Sequence, residues 1–345
     1  MIGGLRASAR EALARVLNGR RTVALVNFPN HGNPGDPAIW LGTRRLLRDL
    51  GVRVGYASAW WDFSASALRT AVGDAPVLLN GGGNFGDLYA GQQGTRVEVL
   101  QSLRDNPVIQ LPQSIHFADA ANEQAMADLL AAHPDVTLMV RERKSELIAR
   151  ERLGVLPVLS PDHAFGLGQL ARTRSAETSI LWLTRVPGDP EYLERLEPEG
   201  SDVRRAEWLS GIAEDERSWD FPGRLALRVN GRARAAWSTA GRGSALRHAI
   251  VARTYDPLAR RWVRRGVDLL SGAHVVVTDR LHGHILCLLL GIPHVALDNS
   301  YGKVSGTLET WTAELAGVHR AADTPEALAI ARELRSVLGA GRGAG

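Results

Sequence analysis

The sequence predicts an α/β fold made of two successive doubly wound units. Three observations carry that expectation. Short β-branched apolar runs recur along the chain with helical patterns between them, as parallel strands fed by crossover helices do. Glycine supplies 36 of the 345 residues, above the usual ~7%, and gathers in short loops after apolar runs, where positive φ or close ligand approach is useful. The strand and helix series also pauses near Gly168 and then starts again. A chain of this length allows roughly two domains. Its composition, 45% apolar and 23% charged, excludes a disordered tail or a fibre, and no period of 20 to 50 residues marks a solenoid.

The first element is a surface helix within Met1 to Arg21, because Leu5, Ala9, Leu13, Val16 and Leu17 recur at helical spacing among five arginines. Strands are expected at 22–27, 52–57, 76–80, 107–111 and 136–140, and helices at 37–50, 93–104, 121–132 and 143–151. The second series has strands at 180–184, 274–278 and 294–298, a helical stretch at 248–271 and a closing helix at 325–338. Pro257 is expected to start or kink a segment inside 248–271. Residues 186–247 are rich in Arg, Gly, Pro and acids and give little periodicity. The expected division is one α/β lobe at 1–170 and a second at 171–345, with the closing helix left open to pack on the first lobe.

Charge and cysteine narrow the class. The formal charge is +4 and the basic residues are almost all arginine, with lysine only at 144 and 303. That excess favours anionic partners without choosing among phosphate esters, lipid headgroups and nucleic acid. The arginines are interleaved with acids and no nucleic-acid-binding motif is present, so nucleic acid is not expected. A single cysteine, Cys287, cannot form an internal disulfide and fits a reducing compartment. No apolar run reaches the ~20 residues that span a bilayer. A cytoplasmic location is expected, with weak attachment to the inner face of the membrane as an option.

Polar residues cluster where strands end. After the first strand comes Asn27-Phe-Pro-Asn-His-Gly-Asn-Pro-Gly-Asp-Pro-Ala-Ile-Trp40. Asp36 before Pro37 reads as a helix start, its carboxylate capping free N–H groups, while Asn30, Asn33 and Asp36 can face a ligand. Leu79-Asn-Gly-Gly-Gly-Asn-Phe-Gly-Asp87 follows the third strand. Its successive glycines, Gly82 and Gly83 among them, leave backbone N–H groups open to an oxygen-rich ligand beside Asn84. Gln113 and Ser114 follow the fourth strand as acceptor contacts, and His116 reads as an interior histidine. Arg141 and Arg143 are second-rank anion contacts, and Asp162 sits in an Asx-type turn near the junction of the halves.

The sharper constellation is Thr278-Asp-Arg-Leu-His-Gly-His-Ile285, where an apolar strand gives way to a helix. Arg280 and His282 fall at that switch, where helix N–H groups could join them around an anion. His282 and His284 are alternatively metal ligands, but no further His or Cys cluster completes a shell, and no metal is expected. Arg280 could also bridge to Asp279 or Asp298. Arg185 holds the matching place after strand 180–184. Tyr301 and Lys303 follow the strand at 294–298, so Arg185, Arg280 and Lys303 together could hold a small, highly anionic donor.

Taken in order, these segments resemble the polysaccharide pyruvyl transferases. The matching pieces are NHGNPGDPAIW (30–40), LNGGGNFGD (79–87), LPQSIHF (111–117), VRERKS (140–145), LWLTR (181–185), TDRLHGHI (278–285) and DNSYGK (298–303). The resemblance implies two Rossmann-like lobes in the manner of the GT-B glycosyltransferases. It implies transfer of pyruvate from phosphoenolpyruvate to a saccharide or lipid-linked glycan as a ketal, with the phosphoenolpyruvate as co-substrate and no other cofactor. It assigns Arg185, Arg280, Leu281 and His282 to the donor, with His282 catalytic as either acid or base; Tyr301 and Lys303 join them on charge and position. Asn30, Asn33, Asp36, Gly82, Gly83, Asn84 and Gln113 are then acceptor contacts. The competing expectation is a nucleotide-sugar glycosyltransferase of the same architecture, in which the arginines grip a diphosphate. The sequence leaves the sugar, the hydroxyls and the oligomeric state open.

Overall fold

The computed structural model describes residues 2–211, 216–240 and 245–340. Met1, the first residue of the expected N-terminal helix, and residues 212–215 and 241–244 of the weakly periodic stretch lie outside the described residues. The first half runs α1 (Ile2–Leu17), β1 (Thr22–Phe28), α2 (Gly35–Asp49), β2 (Arg53–Ala59), α3 (Ala65–Val72), β3 (Val77–Leu79), β4 (Gly82–Gly86), α4 (Ala90–Ser102), β5 (Val108–His116), α5 (Ala120–Ala132), β6 (Val136–Val140), α6 (Arg143–Glu151) and β7 (Val158–Leu159). The second half runs β8 (Thr178–Leu183), β9 (Val203–Ala206), α7 (Phe221–Ala240), α8 (Ala245–Ser271), β10 (Ala273–Thr278), α9 (Leu281–Leu290), β11 (His294–Ala296), α10 (Lys303–Thr307), β12 (Val318–Arg320) and α11 (Thr324–Ala340).

The strands form two all-parallel sheets. The first has the order β2-β1-β3-β5-β6-β7 with β4 beside β5, and the second the order β9-β8-β10-β11-β12. Helices cover both faces of each, which is why strands such as β1 are buried along nearly their whole length. These are two Rossmann-like lobes of the GT-B kind. In each sheet the strand order reverses beside the first strand of the lobe, between β1 and β3 and between β8 and β10. Ligands of open parallel sheets bind outside the carboxyl ends of the strands at that reversal. The loops following β1, β3, β8 and β10 therefore mark where a site belongs.

The lobes share apolar packing. α8 puts Val251, Tyr255, Leu258 and Trp262 into one cluster with Phe28 and Trp40 of the first lobe. Its last turns put Val263, Val267 and Leu270 among Leu181, Val276 and Ile285 of the second. Phe28 stacks on Tyr255 with ring centroids 4.2 Å apart. Burying such a side chain contributes ~1.5–3 kcal/mol, so the helix is a firm tie between lobes.

Several expectations are corrected here. α8 runs unbroken through Pro257, so the proline does not start a segment; the buried residues on both sides anchor the helix and offset the missing backbone bond. The closing helix packs on the second sheet, with Ala327, Leu328 and Ala331 against Ile180, Trp182 and Val275, and not on the first lobe. Conversely, α7 and the first half of α8 pack on the first sheet, although they follow the second lobe's opening strand. The glycine run is itself a strand, β4, paired to β5, and two of its N–H groups are taken by side chains: Asn84 N donates to Gln113 Oε1 and Gly86 N to Gln93 Oε1.

Candidate functional site

A cavity of about 600 Å³ lies between the lobes, where the loops after β1, β3, β8 and β10 meet. From the first lobe it is lined by His31, Asn33, Asp36, Gly83, Asn84, Tyr89 and Arg141. The second lobe contributes Arg185, Asp189, Glu191, Glu207, Trp208, Arg280, Leu281, His282 and Lys303. Both reversal points thus open onto one space.

The cations are placed by the strands that precede them. Arg185 follows β8; its backbone N–H donates to Asp279 Oδ1 at 3.0 Å and its Nη1 to the Asp279 carbonyl at 2.7 Å. The same guanidinium meets Glu191 through Nη2 and Asp189 through Nε at 3.3 Å. Arg280 follows β10, with Asp189 at 3.8 Å and Glu207 at 3.4 Å, and its buried Nε has no hydrogen-bond partner. Burial, reinforced by neighbouring Arg185, pushes the Arg280 guanidinium below its usual range. Lys303 opens α10 and pairs with Glu191. Burial first, then Arg185 and Arg141, bring its ammonium down to about 8, with Glu191 opposing.

Glu191 is the hub. It accepts from Arg185, Lys303, Tyr89 at 3.3 Å and Tyr301 at 3.1 Å. Burial pushes its carboxyl up, but Lys303 and Arg185 outweigh that and hold it at about 2. Arg141 is fully buried at the cavity floor, donating to Ser114 Oγ at 2.9 Å and to Asp162 Oδ2 at 2.7 Å.

His282 stands in the first turn of α9. Its Nε2 lies 3.5 Å from Asp162 Oδ2 and has no hydrogen-bond partner. A Cβ on Gly35 would fall 2.4 Å from His282 Nδ1, so only glycine lets the start of α2 close against this ring. Burial pushes the Asp162 carboxyl up, yet His282 and Arg141 override it and hold it well below the usual carboxylate range. Asp162 also accepts from Ala164 N at 2.7 Å, so the turn reading and the site reading both hold. Across the cavity, Asp36 pairs with His31 at 3.2 Å. Burial raises its carboxyl, but the His31 contact outweighs this and holds it at about 2.

Arg185, Arg280, Leu281, His282, Lys303, Asn33, Asp36, Gly83 and Asn84 therefore come together as the sequence suggested. Four others do not. Asn30 turns away and donates to Asn230 at 2.9 Å. Gly82 lies outside the lining. Gln113 is wholly buried, its Nε2 bonded to Asn84 Oδ1 at 2.9 Å and to the Asn80 carbonyl at 3.0 Å, so it supports Asn84 from behind. Tyr301 reaches the site through Glu191 and stacks on His116, which makes that histidine a ring partner and not a core residue. Asp36 is not the cap of α2: it lies inside the first turn, and Asn33 Oδ1 accepts from Gly35 N at 3.0 Å. Arg143 is exposed and pairs with Glu146. His284 is buried against His294 at 2.7 Å and Thr312 at 2.9 Å, away from any metal-ligand role with His282.

Sequence reasoning missed Glu191, Asp189, Glu207, Trp208, Tyr89 and His31. One signal was available: Pro-Gly-Asp-Pro occurs at 34–37 and again at 187–190, each time just beyond the first strand of a lobe, and each aspartate faces the cavity.

The fold is two-lobed, with cations and a histidine gathered at the facing strand ends of one cleft. The polysaccharide pyruvyl transferase family profile matches residues 33–234 and 249–301, and the chain belongs to that family. It is 33% identical over 312 residues to pyruvyl transferase 1 of Schizosaccharomyces pombe, covering 85% of this chain and 70% of that one. It is 29% identical over 301 residues to EpsO of Bacillus subtilis, whose name carries a provisional pyruvyl transferase assignment, covering 87% and 88%. In fold it is similar to the solved structure of a functionally uncharacterised Klebsiella pneumoniae protein, with TM-score 0.57, 15% identity, and coverage of 92% of this chain and 98% of that one. The protein is a transferase enzyme of the pyruvyl-transferring kind, acting towards a glycan. No helix among the described residues is long and apolar enough to cross a membrane.

Proposed function

We propose that the enzyme moves pyruvate from phosphoenolpyruvate onto two hydroxyls of a saccharide, making a cyclic ketal on a cell-surface or exopolysaccharide glycan and releasing phosphate, with no further cofactor. The observation that supports this best is the convergence of Arg141, Arg185, Arg280 and Lys303 on one cavity that also holds His282 at a helix N-terminus. A small donor with a carboxylate and a phosphate needs that density of cations. α9 has no side-chain cap, so its first N–H groups are open to phosphate oxygens.

In the structure the carboxylates of Glu191, Asp189 and Glu207 hold Arg185, Arg280 and Lys303. The donor's phosphate and carboxylate take over those partners. His282, on the donor lobe and steadied by Asp162, delivers a proton to the methylene carbon; the enol double bond supplies the electron pair and the adjacent carbon becomes oxocarbenium-like. One sugar hydroxyl adds there and loses its proton to the His31–Asp36 pair of the acceptor lobe. The second hydroxyl displaces phosphate, which leaves with the bonding pair and takes up the remaining proton. Asn33, Gly83 and Asn84 line the acceptor side. Positioned proton transfer of this kind contributes ~10² to 10⁴ in rate.

The test is to incubate the protein with phosphoenolpyruvate and saccharides bearing neighbouring hydroxyls, following free phosphate and the mass of the saccharide. Equal molar phosphate and ketal are expected. Thermal stabilisation by nucleotide sugars alone, with no phosphate released, would replace this reading with glycosyl transfer.

A further inference from the structure

The second concentration of arginine lies outside the cleft. Between Phe221 and Arg265 the sequence has eleven arginines, no lysine and one acid, Asp256, a formal charge of +10. The whole chain carries +4, so the other 300 residues are net negative, at −6. This segment is the α7–α8 hairpin and the residues that continue it.

The hairpin buries one face and exposes the other. Ala226 and Ala233 of α7 and Val251, Tyr255 and Leu258 of α8 sit in the first-lobe core. Facing outward on α7 are Phe221, Leu225, Arg228 and Arg232, at the i, i+4, i+7 and i+11 positions of one stripe. On α8 the outward stripe is Leu246, Ile250 and Arg253. Phe221 and Leu246 are 68% and 70% exposed, Leu225 and Ile250 48% and 45%. Arg228, Arg232 and Arg253 are exposed and have no ion pair among the described residues.

We infer that this hairpin face docks the enzyme onto an anionic phospholipid bilayer. Large exposed apolar side chains set among unpaired arginines combine the two contributions that reversible surface attachment needs, acyl-region insertion and attraction to anionic headgroups. Phosphate-backbone binding would use the arginines and leave the four apolar residues without purpose. A second copy of the chain on this face would bring two strongly basic surfaces together. The placement also suits a glycan carried on lipid. Asn230 of α7 holds Asn30, and Arg234 lies over Trp60, 5.7 Å from the ring centroid. The hairpin thus borders the loop whose His31, Asn33 and Asp36 line the cavity.

The test is co-sedimentation of the full chain with phosphatidylcholine vesicles, with and without about 30 mol% phosphatidylglycerol as the anionic component. Binding is expected only with the anionic lipid. Combined Arg228→Glu, Arg232→Glu and Arg253→Glu should weaken it roughly 100-fold. Phe221→Ser with Leu225→Ser, Leu246→Ser and Ile250→Ser should leave only binding that disappears as salt is raised. Both variants should melt cooperatively and release phosphate with a soluble saccharide as the wild type does. Failure of the wild type to pellet, or pelleting that survives the charge reversal, overturns the inference. So does tighter binding to duplex DNA that ignores the apolar substitutions. Because sedimentation needs no turnover, its failure and that of the proposed reaction are read separately.

Discussion

The cleft and the hairpin are both built with arginine, and they use it in opposite ways. In the cleft the cations meet carboxylates: Arg185 meets Glu191 of its own loop, Lys303 the same Glu191 from another loop, and Arg141 meets Asp162. Such buried charges stay charged because they are paired, and removing one partner leaves the other uncompensated. On the outward face of the hairpin, Arg228, Arg232 and Arg253 stand in water with no ion pair among the described residues, where a single pair would contribute little and the summed field matters more. The lesson is that count of basic residues says little about function until their partners are known. A paired cluster can exchange its internal anions for a substrate of matching charge, whereas an unpaired one can only attract a surface.

The predictions break or sharpen that contrast. His282→Ala should lower kcat by roughly 10² to 10⁴ with little change in KM for phosphoenolpyruvate, measured as phosphate release; unchanged turnover would remove this residue from the chemistry. Arg280→Ala should raise KM for phosphoenolpyruvate roughly 10- to 100-fold, the scale of a lost charge-assisted bond, and initial-rate kinetics at varied donor would show it.

The lysine gives a pH signature. Its value near 8, against an ordinary 10.5, means that it sheds its proton as pH rises through 8, so a donor-binding charge is present below that and lost above. KM for the donor should climb, by up to about tenfold per pH unit, on the alkaline side of 8. Lys303→Arg, always charged, should flatten that limb. A profile that is the same in both proteins would take Lys303 out of donor binding.

Glu191→Gln tests the exchange itself. It removes the internal carboxylate that competes for Arg185 and Lys303, so KM for phosphoenolpyruvate should fall several-fold while the melting temperature drops; a raised KM would mean that Glu191 organises the cations and does not compete. The smallest effect is expected from Asn30→Ala. It breaks the bond to Asn230, costing about 1 kcal/mol of stability, and should leave saccharide KM unaltered.

Much of the fold was legible. Parallel, buried strands such as β1 and β10 are short apolar runs bounded by turn residues, and their signal is local. α7 was not legible because it buries a narrow stripe of small residues, Gly223, Ala226, Asn230 and Ala233, which gives almost no hydrophobic contrast. The packing of the closing helix was equally hidden: Ala327, Leu328 and Ala331 announce an apolar face and not which sheet it meets. In the site, residues directly after strands, Arg185, Arg280 and His282, were found because the strand end fixes their position. Glu191 was missed since it sits eight residues beyond the strand end, in a loop held by residues far along the chain, Tyr301 and Lys303 of its own lobe and Tyr89 of the other. Asn30 and Gln113 were over-read for the converse reason. Being polar and next to a strand end does not decide whether a side chain faces the cavity or braces the loop behind it.

The central claim is that a three-carbon phosphate ester occupies the cleft by replacing its internal carboxylates. A crystal structure with phosphoenolpyruvate diffused in addresses this directly. The account predicts phosphate and carboxylate oxygens within hydrogen-bond distance of Arg185, Arg280 and Lys303, the methylene carbon beside His282, and the Glu191 carboxylate swung out of contact with Lys303. Density for the donor elsewhere, with Glu191 still joined to both cations, would contradict it.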